Sequence, residues 1–337
     1  MRNFTFQKNA KTVMSILDEI KKPINEELEA FKPYFEKNMK SESRKLNLVV
    51  NYALRTKGKQ LRPIIVFLCA KLTGKVSDAT FTAASLIELL HTATLVHDDV
   101  VDESFYRRGL FSIFALYKAK IAVLLGDFFL AKGLLMSLEN NGFDLLKIVS
   151  EAVKEMSEGE LDQLEHARRM DITEESYYEV IRKKTATLIA ACAATGAQSS
   201  GANTDIVQKM KVFGTKIGLA FQIKDDLFDY QKTGSIGKPK YNDIQERKLT
   251  LPVIYALEND KDGKKRTIKK IFRKKQKSKD DIAAIVDFVV KNGGVDYSIK
   301  KMEQLKSEAL ALLDDFPDSE AKNALTKLAD YIINRNK

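Results

Sequence analysis

Apolar positions recur at three and four residues along almost the whole chain, the period of helices with one buried face. Val13, Ile16, Leu17 and Ile20, then Leu28 and Phe31 beyond Pro23, predict helix over 8–40. A second helix is expected over 45–56, ending before Lys57-Gly58. Pro63 suits the first turn of a third, over 64–72, which Gly74 stops. Ser77 or Asp78 can cap a fourth that runs to about Glu103. Across 83–101 this helix is apolar nearly all round, with Glu88, His91, His97, Asp98 and Asp99 as exceptions. A helix without a polar face belongs in the middle of a protein. Its polar end must therefore face something other than bulk solvent. Further helices are predicted over 121–138, 144–168, 177–199 (with Thr173 as cap and Glu175 and Ser176 in the first turn) and 204–231. A loop over 232–248 leads into a helix over 249–257, and the remainder is helical with polar connections such as Asn292-Gly293-Gly294.

Composition agrees with this pattern. The 337 residues include only 16 Gly and 6 Pro, about half of average usage. No Pro occurs between Pro63 and Pro239, and Pro breaks helix interiors. With no internal repeat and no low-complexity linker, the expected fold is all-α, one domain over 1–337. Cys69 and Cys192 both lie in apolar runs and fit neither a disulfide framework nor a zinc site. Two reduced, buried thiols and a cytoplasmic location are expected. Residues 1–22 lack an apolar core of signal-peptide length. No uncharged apolar run reaches about 18 residues, so no transmembrane helix is expected. The net charge is +10, but 261–281 alone holds 11 Lys or Arg against 3 Asp. The rest of the chain is nearly neutral, which argues against general nucleic-acid binding.

Two aspartate clusters change the picture: Asp98-Asp99-Val100-Val101-Asp102 and Asp225-Asp226-Leu227-Phe228-Asp229. Each places its first and last Asp on one helix face, at i and i+4. Each also closes an apolar helix, over 86–96 and 217–223. Like charges at this spacing repel, and partly buried carboxylates lose hydration. A counter-cation is implied, and Mg²⁺ fits, because it takes oxygen ligands and shares them with substrate phosphates and water. Two such clusters facing each other could clamp one diphosphate. Basic residues flank both: Lys59 and Arg62 in an earlier loop, Arg107-Arg108-Gly109 after the first, Lys183-Lys184-Thr185 mid-helix, and Lys238 and Lys248 after the second. Together they describe a site for two diphosphates, one metal-bound and one held by cations.

Gly58-Lys59-Gln60-Leu61-Arg62-Pro63, His91, the first aspartate motif with Glu103, Arg107-Arg108-Gly109, Gly126-Asp127, Lys184-Thr185, Phe221-Gln222-Ile223-Lys224 with the second motif, and Thr250-Leu251-Pro252 resemble, in order over about 45–260, the motifs of trans-isoprenyl diphosphate synthases. The run His-Thr-Ala-Thr-Leu before the first motif is most similar to the long-chain polyprenyl, octaprenyl-type branch. The resemblance implies a single large helical bundle with a central cavity, an isoprenoid synthase-like fold, acting as a homodimer. It implies that Lys59, Arg62, His91 and Arg108 bind isopentenyl diphosphate. Arg107, Lys184, Gln222, Lys238 and Lys248 would hold the allylic diphosphate, and Thr185 and Gln222 would flank its C1. Of these, Arg107, Lys184, Thr185 and Gln222 carry the catalytic role. Asp98, Asp102 and Asp225 would be the main Mg²⁺ ligands, with Asp99, Asp226 and Asp229 as direct or water-mediated supports and three Mg²⁺ per site once substrate is bound.

The implied reaction condenses isopentenyl diphosphate with an allylic prenyl diphosphate, with the released diphosphate as base. His97 reads as structural. The sequence departs from the family at Lys57 and Gln60, and at Tyr241 and Arg247, where Gly is usual; this leaves the role of Lys248 open. One helical turn rises about 5.4 Å, close to one isoprene unit, so Ala93 and Thr94, one turn before Asp98, act as the first stop of a length ruler. Their small size implies a product of roughly C30 to C45. The floor is expected at Leu86, Leu89 or Leu90 and the facing 129–136. The alternatives are a short-chain synthase of about C15 to C20 and the catalytic partner of a heteromeric synthase. A terpene cyclase is disfavoured by the second motif and by Lys59 and Arg62, and a regulatory subunit by the six retained aspartates. The basic 261–279 segment reads as a solvated face, or as a peripheral contact with anionic lipid where product is delivered.

Overall fold

The computed structural model describes residues 16–55, 60–107, 109–169, 171–230 and 241–335. After a helical stretch over 16–21 and a 3-10 turn at Lys22–Ile24, where Pro23 removes a helix donor, come α1 (Asn25–Asn38), α2 (Arg44–Arg55), α3 (Leu61–Thr73) and α4 (Asp78–Val101). A short hairpin of β1 (Tyr106–Arg107) and β2 (Leu110–Phe111) follows. Then come α5 (Ile113–Glu139), α6 (Phe143–Arg169), α7 (Glu174–Ile181), a π turn (Arg182–Ala186), α8 (Thr187–Ser199), α9 (Thr204–Leu227) and a 3-10 turn (Phe228–Tyr230). The chain ends with α10 (Asn242–Gln245), α11 (Leu251–Glu258), α12 (Lys265–Phe272), α13 (Lys279–Lys291), α14 (Gly294–Ala311) and α15 (Glu320–Asn334). The expected all-α class holds. By internal contacts the chain forms two interleaved units: 1–153 with 189–211 and 314–327, and 154–188 with 212–313 and 328–337.

In the first unit, α4 and α5 form the most extensive helix pair. Two glycines on α5, seven residues apart, permit their approach. A Cβ at Gly126 would lie 2.1 Å from His97 Nε2, and one at Gly133 2.9 Å from Leu86 Cδ1. Leu86, Leu89, Leu90, Phe129 and Met136 are all buried. As its sequence demanded, α4 is a core helix, with Ala93, His91 and even Asp99 buried. Both α4 and α5 are long and apolar enough to cross a membrane by length and composition. In α4, 61% of the most apolar window is buried within the protein; in α5 only 39% is. Cys69 and Cys192 are free, buried thiols, and burial pushes Cys192 up to about 12.

In the second unit, two apolar clusters share Leu249 and Val295. One joins Tyr177 and Ile181 of α7 to Ile223 and Leu227 of α9. The other joins Ile244 of α10 to α11, α12 and α13.

Five expectations need correction. The helix over 8–40 is broken at the 3-10 turn Lys22–Ile24, and its first residues, 8–15, lie outside the described residues. The helix over 121–138 begins earlier, at Ile113, because Ser112 caps an extra stretch, its Oγ accepting from Ala115 N at 3.0 Å; the axis then breaks at Lys118 (φ 66°, ψ 169°). The helix over 177–199 is split by the π turn. The predicted 204–231 helix tightens into a 3-10 turn after Leu227. The 232–248 loop contains the helical turn α10; its 232–240 portion lies outside the described residues.

Candidate active site

The first aspartate motif is built at the end of α4, within the first unit. Asp98 and Asp102 are exposed one turn apart, while Asp99 between them is buried. The hairpin explains the difference. Its backbone pairs Tyr106 with Phe111 and Arg107 with Leu110, which brings Arg107 back over the helix end. Arg107 donates from Nε and Nη2 to Asp99 Oδ1 at 2.8 and 2.7 Å. A charge-assisted fork of this kind fixes both groups. His97 turns onto α5, with Nε2 3.2 Å from Val123 O and 3.6 Å from Asp127 Oδ1. The Gly126-Asp127 pair thus makes room for the ring and answers it, as its structural reading requires. His91 is buried in α4, and Arg62 is half-buried in the first turn of α3. Ala93 is fully buried, and Thr94 Oγ1 donates to His91 O at 3.0 Å. Lys59, Arg108 and Lys238 lie outside the described residues.

The second aspartate motif lies within the second unit. Lys184, Thr185, Gln222, Asp225, Asp226, Asp229 and Lys248 all line one cavity of about 260 Å³. Residues more than sixty positions apart meet because the π turn rests between α6 and α9. A Cβ at Gly159 of α6 would lie 2.8 Å from Lys184 N, and one at Gly218 of α9 2.5 Å from Ala186 Cα. A π turn inserts one residue into a helix and marks functional sites in many folds; here it carries Lys183, Lys184 and Thr185.

A continuous polar chain crosses the cavity. Thr185 Oγ1 donates to Gln222 Oε1 at 2.8 Å, Gln222 Nε2 donates to Asp226 Oδ1 at 2.8 Å, and Tyr177 Oη donates to Asp226 Oδ2 at 2.6 Å. Burial pushes the Asp226 carboxyl well up, with Asp243 adding repulsion against the two hydrogen bonds. Burial and Asp243 likewise raise Asp229 to about 6, although Asp243 N donates to Asp229 Oδ2 at 2.9 Å. Asp225 Oδ1 accepts from Arg335 Nη2 at 2.5 Å, and that guanidinium stacks 3.8 Å over the Phe221 ring.

The cations at the cavity are mostly occupied. Lys184 contacts Glu160 at 2.5 Å and Gln163 at 2.6 Å; Lys248 contacts Glu246 at 2.6 Å. Arg247 also lines the cavity and is exposed, and it makes no ion pair among the described residues. Its φ is 63°, and that of Tyr241 is 64°. At both positions, where the resemblance leads one to expect glycine, the backbone keeps the left-handed conformation that glycine favours.

The donor set fits a hard dication. It is all oxygen, and burial together with the nearby Asp243 makes the carboxyls of Asp226 and Asp229 hold protons tightly, which a bound cation would oppose. Among the described residues no three His, Cys, Asp or Glu side chains already form a metal cage. Arg247, Arg335, Tyr177 and Asp243 are the residues that sequence reasoning missed. Only Arg247 left a signal, as a departure from glycine.

The polyprenyl synthetase family model matches residues 43–289. The chain is 33% identical over 300 residues to octaprenyl diphosphate synthase of Escherichia coli (strain K12), covering 89% of this chain and 93% of that one. It is 32% identical over 314 residues to heptaprenyl diphosphate synthase component 2 of Geobacillus stearothermophilus, covering 93% and 97%. The crystal structure of geranylgeranyl pyrophosphate synthase from Bacteroides thetaiotaomicron superposes with a TM-score of 0.81 at 39% identity, over 95% of this chain and 100% of that one. Sequence motifs, fold and relatives agree: the chain belongs to the polyprenyl synthetase family of prenyltransferases.

Proposed function

We propose that the chain condenses isopentenyl diphosphate head-to-tail with an allylic prenyl diphosphate and repeats this to an all-trans product of roughly C30 to C45, one isoprene unit per helical turn of about 5.4 Å. The cavity that gathers Lys184, Thr185, Gln222 and the second aspartate motif carries this reading. Lys184, Lys248 and Arg247 hold the allylic diphosphate, joined by Lys238 and Arg107. Lys59, Arg62, His91 and Arg108 hold isopentenyl diphosphate. Asp98, Asp102 and Asp225 ligate Mg²⁺, three ions per site in this reading, with Asp99, Asp226 and Asp229 in support. When bound, Mg²⁺ supplies neutralising charge to the departing diphosphate. Thr185 Oγ1 and Gln222 Oε1 place oxygen dipoles beside C1, where positive charge develops. Tyr177, by donating to Asp226, holds the amide of Gln222 in the orientation that presents Oε1 to Thr185.

Product length rests on α4. Ala93 is small and buried, so in this reading its side chain would not block a tail, and Leu86 and Leu89 lie against Gly133 of α5. The relatives include both short- and long-chain synthases by name, so length is the finer part of the proposal. It is tested by comparing products of the native chain and Ala93→Tyr. The variant is expected to stop at about C15 to C20, and an unchanged product length would contradict the ruler.

The active species is a cytoplasmic homodimer in this reading. Ile121, Leu124, Leu135 and Leu138 recur at helical spacing along α5 and are each 39–54% exposed. An apolar stripe of this kind is covered in a stable protein. Gel filtration with light scattering should give twice the chain mass for the native protein and a shift toward monomer for Leu124→Glu. A native monomer that elongates only after a second polypeptide is added would favour the heteromeric alternative.

A further inference from the structure

The net charge of the chain is concentrated on one structural element. Between 261 and 281 the sequence carries +8 of the total +10. Two of its three Asp are already used: Asp281 accepts from Lys274 at 2.7 Å, and Asp262 accepts from Lys291. Lys264, Lys265, Arg266, Lys270, Arg273 and Lys275 are exposed and make no ion pair among the described residues. They decorate α12 and the residues on either side of it.

The apolar side of α12 is not available to a partner. Ile268 and Phe272 are 3% and 0% exposed, packed with Ile244, Ile285 and Phe288. The helix is held down by its own core and presents almost nothing but cations. The segment is also fastened to the candidate active site. Gln245 Nε2 donates to Lys277 O and Lys277 Nζ donates to Gln245 O, at 3.4 and 3.3 Å. Gln245 closes α10, the turn whose Asp243 N donates to Asp229.

We propose that this basic face docks the enzyme onto anionic lipid bilayers, by charge and without insertion. Anionic membranes attract clustered Lys and Arg within a screening length of the surface. Nucleic acid is the less favoured polyanion: no exposed aromatic ring lies among these cations to stack a base. The choice of lipid rests on the proposed function, since a long prenyl diphosphate is an amphiphile that must leave into a membrane.

The test uses the purified full-length chain and sedimentation with two kinds of vesicle, phosphatidylcholine alone and phosphatidylcholine mixed with phosphatidylserine. Binding is expected only to the mixed vesicles, and it should vanish near 1 M salt, where the screening length falls to about 3 Å. Replacing Lys265, Arg266, Lys270 and Arg273 together by Gln should weaken it about six-hundredfold at low salt, at roughly fivefold per charge removed. Circular dichroism and chain elongation without vesicles should be unchanged, since none of the four lines the cavity. Equal binding to neutral vesicles, undiminished binding by the folded variant, or displacement from mixed vesicles by a single-stranded oligonucleotide at equal charge would each overturn the proposal. A native protein that binds anionic vesicles but elongates no primer would instead remove the proposed function and leave the surface assignment standing.

Discussion

Arg247 shows what a single residue contributes when it breaks a local rule. A side chain in the left-handed region costs roughly 1–2 kcal/mol relative to glycine, and such strain persists where a site uses it. Arg247→Gly should therefore raise stability by up to about 1 kcal/mol. Because charge-assisted hydrogen bonds contribute roughly 1.5–3 kcal/mol each, the same variant should raise KM for the allylic diphosphate about tenfold or more. Thermal denaturation and initial rates measured on the one variant check both; a gain in stability with unchanged KM would leave Arg247 no part in binding. The acidic residues of the cavity predict a pH effect. Asp226 and Asp229 bind protons more tightly in the folded chain than in the unfolded one. Their contribution to stability is full below the ordinary Asp range and is lost as pH rises, through about 6 for Asp229. In EDTA, melting temperature should thus fall from this pair between pH 5 and pH 8. Mg²⁺ should restore most at the alkaline end and release protons on binding. A Mg²⁺ effect that does not grow with pH would contradict the fit of the dication. Sequence marked both aspartates, yet Tyr177 and Arg335 stayed silent, because their partners stand 49 and 110 residues away and no local pattern encodes that separation.

At the scale of the element, long apolar helices were legible and short irregular ones were not. The spacing of apolar residues and the cap at Ser77 locate α4 to within a few residues, because burial of a whole face repeats every turn. The hairpin of two residues per strand has no room for a period. The π turn adds one residue inside a pattern that remains helical on both sides, so periodicity passes over it. Its cause lies in packing, with Gly159 and Gly218 letting α6 and α9 close on its backbone. Gly218→Ala should therefore be costly. The added methyl would sit 2.5 Å from Ala186 Cα, and overpacking of this kind costs roughly 1–3 kcal/mol. Because Thr185 and Lys184 precede Ala186, kcat should fall alongside melting temperature. A variant that melts lower but keeps kcat would separate the π turn from catalysis.

For the whole molecule, the sequence supplied the fold class and the ordered motifs, while the division into two interleaved units is visible only in the contacts. An apolar α4 that ends in carboxylates, and a second apolar helix, α9, that ends the same way, have one chemical account in common: a diphosphate-handling metal site joined to a greasy tail. The measurement that tests this most directly is incubation of the purified chain with farnesyl diphosphate, isopentenyl diphosphate and Mg²⁺, with product lengths read by mass spectrometry. The account predicts a ladder ending at one dominant product, roughly C30 to C45 on the scale of one unit per helical turn. Failure to extend any allylic primer, with the chain folded and Mg²⁺ present, would contradict it.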